Sequence, residues 1–217
     1  MDLYFIRHAA PESQSDSLSI LGHEQANRLA AALKSLKVDE IYKSPAGVAQ
    51  QTSSYSEKKC KLPALTVDWI RELAWGDLNN TLKNPISPWV KTAKIIREEK
   101  SLPMGDAWKT HPLFVNDVIV DEVRKRTLAL DNFLEAHGYL REGAFYNAVN
   151  PNDKQIVFFC HAGIAIACLS HMLNIPFLQA VAHFEIKTAS ITKVHLPKIS
   201  GHHTALLSCL NNTSHLK

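Results

Sequence analysis

Two short apolar runs in this chain each end on a histidine. Leu3, Tyr4, Phe5 and Ile6 lead into Arg7 and His8, and Ile156, Val157, Phe158, Phe159 and Cys160 lead into His161. Both runs are rich in β-branched and aromatic residues and too short for a helix, so they read as buried strands. Each is followed by small residues and then by a helix-like stretch. In open parallel sheets ligands sit just beyond the carboxyl ends of the strands. If the two strands are neighbours, both imidazoles and Arg7 converge on one spot, which suits a phosphoryl group.

The rest of the chain alternates in the same way, which means an α/β layered domain. A helix is expected from near Ser19, with Leu21, Leu29, Leu33 and Leu36 near 3.6 spacing. A strand over Glu40 to Lys43 ends at Ser44-Pro45, and a helix over Ala46 to Lys58 follows. Leu65 to Trp69 reads as a third strand. Between Asn79 and Pro112 prolines punctuate one helix, Trp89 to Glu99, and this segment is expected to be an insertion covering the site. A strong helix follows from about Asp117 to Ala136, capped by Asn116 or Asp117. Tyr139 to Lys154 reads as a surface excursion. Ile164 to Leu173 is helical, and Ser190 to Leu196 and Ala205 to Leu210 are closing strands.

Composition narrows the function. A length of 217 residues fits one domain able to bury a sizeable core. A net charge of +3 permits an anionic small molecule, and without a basic run nothing points to nucleic acid. No apolar run approaches the ~20 residues that span a bilayer, and the first residues lack a charged n-region or cleavage site. Cys60, Cys160, Cys168 and Cys209 form no CxxC pair, and three of them sit in apolar stretches as buried thiols. A cytoplasmic setting follows. No HExxH, CxxC or GxxxxGK spacing supports zinc or a P-loop, so neither metal nor cofactor is expected. The adjacent His202 and His203 would point to opposite faces of a strand. Oligomeric state is not fixed by the sequence.

Arg7-His8 at the end of the first strand resembles the signature of the histidine phosphatase superfamily, the phosphoglycerate mutase-like proteins. Leu18-Ser19-Ile20-Leu21-Gly22-His23-Glu24-Gln25-Ala26 resembles the family's L-T-x-x-G-x-x-Q-A helix start. Ser44-Pro45 with Gln51-Thr52 is similar to its S-P-x-x-R-A-x-Q-T segment, and Glu72 with Gly76 to the spacing around its acid. Phe159-Cys160-His161-Ala162-Gly163 resembles the second-histidine motif, and Ala189 to Thr192 and Ser214 to Leu216 its C-terminal strands. The matches run in family order.

The resemblance implies a three-layer α/β sandwich with a mostly parallel sheet and a helical cap over about residues 79–112. It implies that His8 is the nucleophile, becoming phosphohistidine. Arg7 would bind the phosphoryl oxygens. His161 would donate to another of them, and the N–H groups around Ala162 and Gly163 would open an anion-binding helix N-terminus. Glu72 would protonate the leaving oxygen and then activate water, with Asp77 and Asp68 as local competitors. Taken singly, each of these residues also suits a plain structural role.

One departure bears on activity. Where the pattern places an arginine after Ser-Pro, this chain has Val48. Losing one preorganised donor can cost roughly 10²–10³ in rate. Lys43 or Arg71 could stand in. The apolar Leu73, Ala74 and Trp75 after Glu72 favour hydrolysis over mutase chemistry, and with it a substrate with an apolar or aromatic part or a site nearly closed to water. Lys91, Lys94 and Arg97 of the cap helix could still face a phosphate, although their i,i+3 spacing suits a solvated helix face first. The expected function is therefore a cofactor-independent phosphatase of a small phosphorylated metabolite. The rivals are a weakly active or inactive member binding a phosphorylated ligand or protein partner, a phosphoglycerate mutase-type transferase, and a metal-dependent hydrolase using the many histidines.

Overall fold

In the computed structural model, which describes residues 1–79 and 85–217, nine strands and six α-helices alternate along the described chain. The order is β1 (Asp2–Arg7), α1 (Ile20–Lys34), β2 (Glu40–Lys43), α2 (Gly47–Cys60), β3 (Ala64–Thr66) and α3 (Pro88–Glu99). Next come α4 (Ile119–Ala136), β4 (Tyr139–Glu142), β5 (Phe145–Ala148), β6 (Gln155–Cys160), α5 (Ala162–Leu173) and α6 (Phe177–His183). The chain closes with β7 (Ile191–His195), β8 (Gly201–His203) and β9 (Leu206–Asn212).

The main sheet has the order β3-β2-β6-β1-β7-β9. Strands β3, β2, β6 and β1 are parallel, and β7 runs antiparallel to β1. The two histidine-tipped runs are therefore neighbours, in register from Leu3 opposite Ile156 to Arg7 opposite Cys160. Their alternate side chains feed two cores, as a pleat requires. Leu3, Phe5, Ile156, Phe158 and Cys160 pack with Leu130, Leu134 and Leu169 of α4 and α5 on one face. Tyr4, Ile6, Val157 and Phe159 pack with Leu29, Leu33 and Val48 of α1 and α2 on the other. Burial on both faces explains why these strands are continuously apolar, and each such side chain contributes roughly 1.5–3 kcal/mol.

Ser19 caps α1 by accepting the Gly22 N–H, as its position before the apolar stripe predicts. Several expectations are corrected. Tyr139 to Lys154 is not a surface excursion: β4 and β5 form a hairpin joined by β8 into a second, three-stranded sheet, and Tyr139, Tyr146 and Ala148 are buried. Strand β3 stops at Thr66 and Asp68–Ile70 is a 3₁₀ turn. The N-cap of α4 is Val118, without a side-chain bond, although Asp117 still accepts the Ile119 N–H. Ser214–Leu216 is a 3₁₀ turn rather than a strand, and α6 was not foreseen. Of the expected insertion, residues 80–84 lie outside the described residues; the remainder holds α3 and a 3₁₀ turn whose Trp108 is buried in the core.

Candidate active site

His8 follows directly from β1, and its backbone N–H still bonds Cys160 across the sheet. His161 follows β6 in the same way and caps α5. Their rings lie 5.1 Å apart, centroid to centroid, and both are buried. The His8 Nδ1 lies 2.9 Å from the Ala9 carbonyl. A carbonyl only accepts, so Nδ1 carries the proton and the neutral ring keeps a lone pair on Nε2. Burial pulls the His8 pKa down, with a smaller contribution from Arg7. The ring is thereby held in its nucleophilic, neutral form.

His161 Nε2 sits 2.9 Å from Ser44 Oγ. One neutral imidazole and one hydroxyl bring two protons to this pair and need one between them. Whichever way that bond runs, one proton is left for an outside oxygen. Burial, then the nearby His8, pushes the His161 pKa down to about 3.

The loop after His8 is held open by residues of the resembling motifs. Thr52 Oγ1 accepts the Ala9 N–H at 3.0 Å, Gln25 Oε1 the Ala10 N–H at 2.8 Å, and Gln51 Oε1 the Leu18 N–H at 2.9 Å. These motif positions brace the backbone that follows His8.

Glu72 docks on the first turn of α5. Its carboxylate accepts N–H bonds from Gly163 (3.1 Å), Ile164 (3.0 Å) and Leu73 (2.9 Å). Burial raises its pKa against the pull of those three donors and of Arg7. Gly163 is required here: a Cβ would lie 2.5 Å from Glu72 Oε1 and 3.2 Å from Trp89. The expectation that the Gly163 N–H binds phosphate is thus corrected, because the chain's own carboxylate occupies it. Ala162 remains beside Arg7 and Glu72 in the wall of the adjoining cavity. Arg7 gives one Nη to the Ile186 carbonyl at 2.7 Å, while its buried Nε has no partner among the described residues.

Two further expectations are corrected. Lys43 does not reach the site: its Nζ bonds Glu57 Oε1 at 2.8 Å, on a carboxylate that also takes Ser53 and the Ala64 N–H. Arg71 pairs with Asp68 at 3.0 Å on the exposed rim, where only its long-range field is felt at His161. Lys91 is drawn to Asp117 and the Leu113 carbonyl, and Lys94 to Glu98. Asp117, which is buried, also accepts the Gly76 N–H at 2.8 Å, so the loop bearing Glu72 and helix α3 are tied to one carboxylate.

Asp16 is a feature the sequence did not reveal. Its carboxylate accepts the Gly47 and Val48 N–H groups at 2.5 and 3.1 Å, at the N-terminus of α2. A Cβ on Gly47 would collide with the Asp16 carbonyl. An acid in a polar loop carries no spacing signal, so only the fold brings it here. Its charge raises the pKa values of both histidines slightly. His202 and His203 do diverge, to Glu142 and to the Ile199 carbonyl. Among the described residues no cluster of three His, Cys, Asp or Glu side chains could hold a metal. No helix among them is long and apolar enough to cross a membrane.

A mainly parallel sheet with helices on both faces, and paired histidines at its carboxyl edge, defines a phosphoglycerate mutase-like α/β protein. Residues 3–105 match the family model of the histidine phosphatase superfamily, branch 1. It is 24% identical over 208 residues to the probable phosphoglycerate mutase GpmB of Proteus mirabilis, covering 89% of this chain and 84% of that one. Its fold is similar to that of phosphoserine phosphatase from Entamoeba histolytica in complex with 3-phosphoglyceric acid (TM-score 0.67, 17% identity, 100% and 99% of the two chains). It is equally similar to a mycobacterial glucosyl-3-phosphoglycerate phosphatase in complex with inorganic phosphate (TM-score 0.66, 19% identity, 100% and 99%).

Proposed function

We propose that this chain is a cofactor-independent phosphomonoesterase, hydrolysing a small phosphorylated metabolite through a phosphohistidine on His8. The observation that carries the proposal is the approach of His8 and His161 to 5.1 Å, with the Arg7 charge felt at both rings and Glu72 docked on the first turn of the helix that His161 opens. The lone pair on His8 Nε2 attacks phosphorus as the bond to the leaving oxygen breaks. Glu72, whose pKa burial raises, gives that oxygen its proton. Water then attacks the phosphohistidine, Glu72 takes a proton from it, and phosphate leaves with His8 restored. Arg7 and the spare proton of the His161–Ser44 pair bind the equatorial oxygens, where negative charge spreads. Helix α3 acts as a cap, setting Trp89 against Gly163 and Glu72. Four cysteines without a disulfide suit a reducing, cytoplasmic setting.

Two observations favour low turnover: Val48 stands where the resemblance places an arginine, and Asp16 adds a negative charge beside it. A mutase reading has less support, because neither Lys91 nor Lys94 turns to the cavity. The decisive test is His8→Ala. Its expected result is loss of p-nitrophenyl phosphate hydrolysis, together with loss of an acid-labile, base-stable 32P label that the wild-type chain acquires. Undiminished hydrolysis by the variant would overturn the assignment.

A further inference from the structure

The cavity beside Glu72 has about 540 Å³ of space. Arg7 and Glu72 bring polar groups to its wall, and Trp75, Trp89 and Phe184 bring aromatic surface, with Trp89 reaching Gly163 where Glu72 docks. We infer that the substrate's leaving group is a neutral, flat aromatic ring carried on the phosphomonoester, with Trp75 and Trp89 as the specificity-determining residues; this rests on the phosphatase reading above.

Shape is the first argument. Trp75 and Trp89 meet edge to face, with centroids 5.9 Å apart and planes at 82°. Such a pair forms a corner rather than a closed slot, and a third ring can lie in it by stacking on one indole while meeting the other edge-on. A volume within the usual range for small-molecule sites leaves room for a ring beyond the phosphoryl group.

Charge is the second argument. A second acidic group on the substrate would need a second cation beside the aromatic rings. Among the described residues the basic side chains lining this cavity are Arg7, which the proposed mechanism assigns to the phosphoryl group, and the exposed His183. Lys91 of α3 is spent on Asp117, and Lys94 is not among the residues that line the cavity. A substrate cation fares no better. Glu185 at the mouth has Lys187 at 3.3 Å, and burial drives Glu72 toward its neutral form. Among the described residues the rest of the wall is largely apolar and aromatic, and the ligand that matches such surface is uncharged. This sets the chain apart from neighbours whose bound molecule is 3-phosphoglyceric acid.

Benzyl phosphate, propyl phosphate and 3-phosphoglycerate are all alkyl monoesters that need leaving-group protonation, so their kcat/KM values compare the far end of the site. Benzyl phosphate is expected to exceed both others by about tenfold, chiefly through KM, as one good ring–ring contact allows. In Trp75→Leu and Trp89→Leu the benzyl-to-propyl ratio should collapse toward one, while Trp89→Phe retains part of it. Equal or better use of 3-phosphoglycerate, or a ratio that survives in both leucine variants, overturns the inference. If no ester is turned over and no 32P label forms, it is the phosphatase reading that has failed. Calorimetry with benzylphosphonate and propylphosphonate then decides the pocket: tighter benzyl binding, lost in Trp89→Leu, upholds it, and equal binding overturns it.

Discussion

Helices α2 and α5 both begin beside the paired histidines, and each receives a carboxylate from elsewhere in the chain. On α5 it is Glu72, bonded to Gly163 and Ile164; on α2 it is Asp16, bonded to Gly47 and Val48. In both cases a glycine leaves space that a methyl group would fill. A helix N-terminus favours any anion, so the two sites satisfy the same electrostatics. They differ in water. Glu72 is buried where Gly163 and Trp89 meet, and the loss of solvent raises its pKa. Asp16 lies in an exposed loop. On the proposed mechanism the same chemical group serves as a reagent in one place and as a helix cap in the other.

The comparison can be broken or sharpened by experiment. The largest effect is expected from Glu72→Gln, which should lower kcat/KM on alkyl phosphates by roughly 10²–10⁴. On p-nitrophenyl phosphate, whose leaving group needs no proton, the loss in kcat/KM should stay below about tenfold, because the shared hydrolysis of the phosphohistidine enters kcat alone. Equal losses on both substrates would deny Glu72 its role as acid. Next come the two glycines. Gly163→Ala must displace Glu72 or Trp89 and should cost about 10² in kcat, as small misplacements do. Gly47→Ala should instead show in urea unfolding, as a loss of about 1–3 kcal/mol from overpacking.

The third effect is on pH dependence. Unfolded, His161 takes up a proton near its ordinary value, which the folded state refuses until about pH 3. The folded state therefore loses stability as pH falls between those values, and His8 acts in the same direction. Glu72 acts oppositely, its contribution fading as pH rises through its raised pKa. Thermal unfolding between pH 7 and pH 4 should show a falling midpoint, with a shallower slope in His161→Gln; an unchanged slope would contradict the burial argument. The smallest effect belongs to Asp16→Asn. Removing one partly screened charge near the phosphoryl site should tighten inhibition by inorganic phosphate about fivefold. No tightening would mean that Asp16 only caps its helix.

The reacting half of the site was legible in sequence because it hangs on strand ends. Two continuously apolar runs tipped by His8 and His161 could hardly be placed except side by side in a buried parallel sheet. Gln25, Gln51 and Thr52 were legible as motif positions, though their task as braces for the backbone after His8 emerges only from the hydrogen bonds. What failed to show depends on tertiary partners. Lys43 looks available until Glu57 arrives from α2. Asp16 and Glu72 reach their helices across gaps of about thirty and ninety residues, which no local pattern records. The hairpin of β4 and β5 escapes a sequence reading because each strand is only four residues long and β4 lacks the alternation of buried and exposed positions that marks a strand.

Asp117 carries a consequence of a different kind. Because one buried carboxylate holds both Gly76, four residues past Glu72, and Lys91 of α3, the proposed acid and the proposed cap share a mechanical anchor. If both proposals hold, grafting a foreign cap onto this scaffold would reset the posture of Glu72 as well as the specificity, unless the Asp117 junction were kept intact.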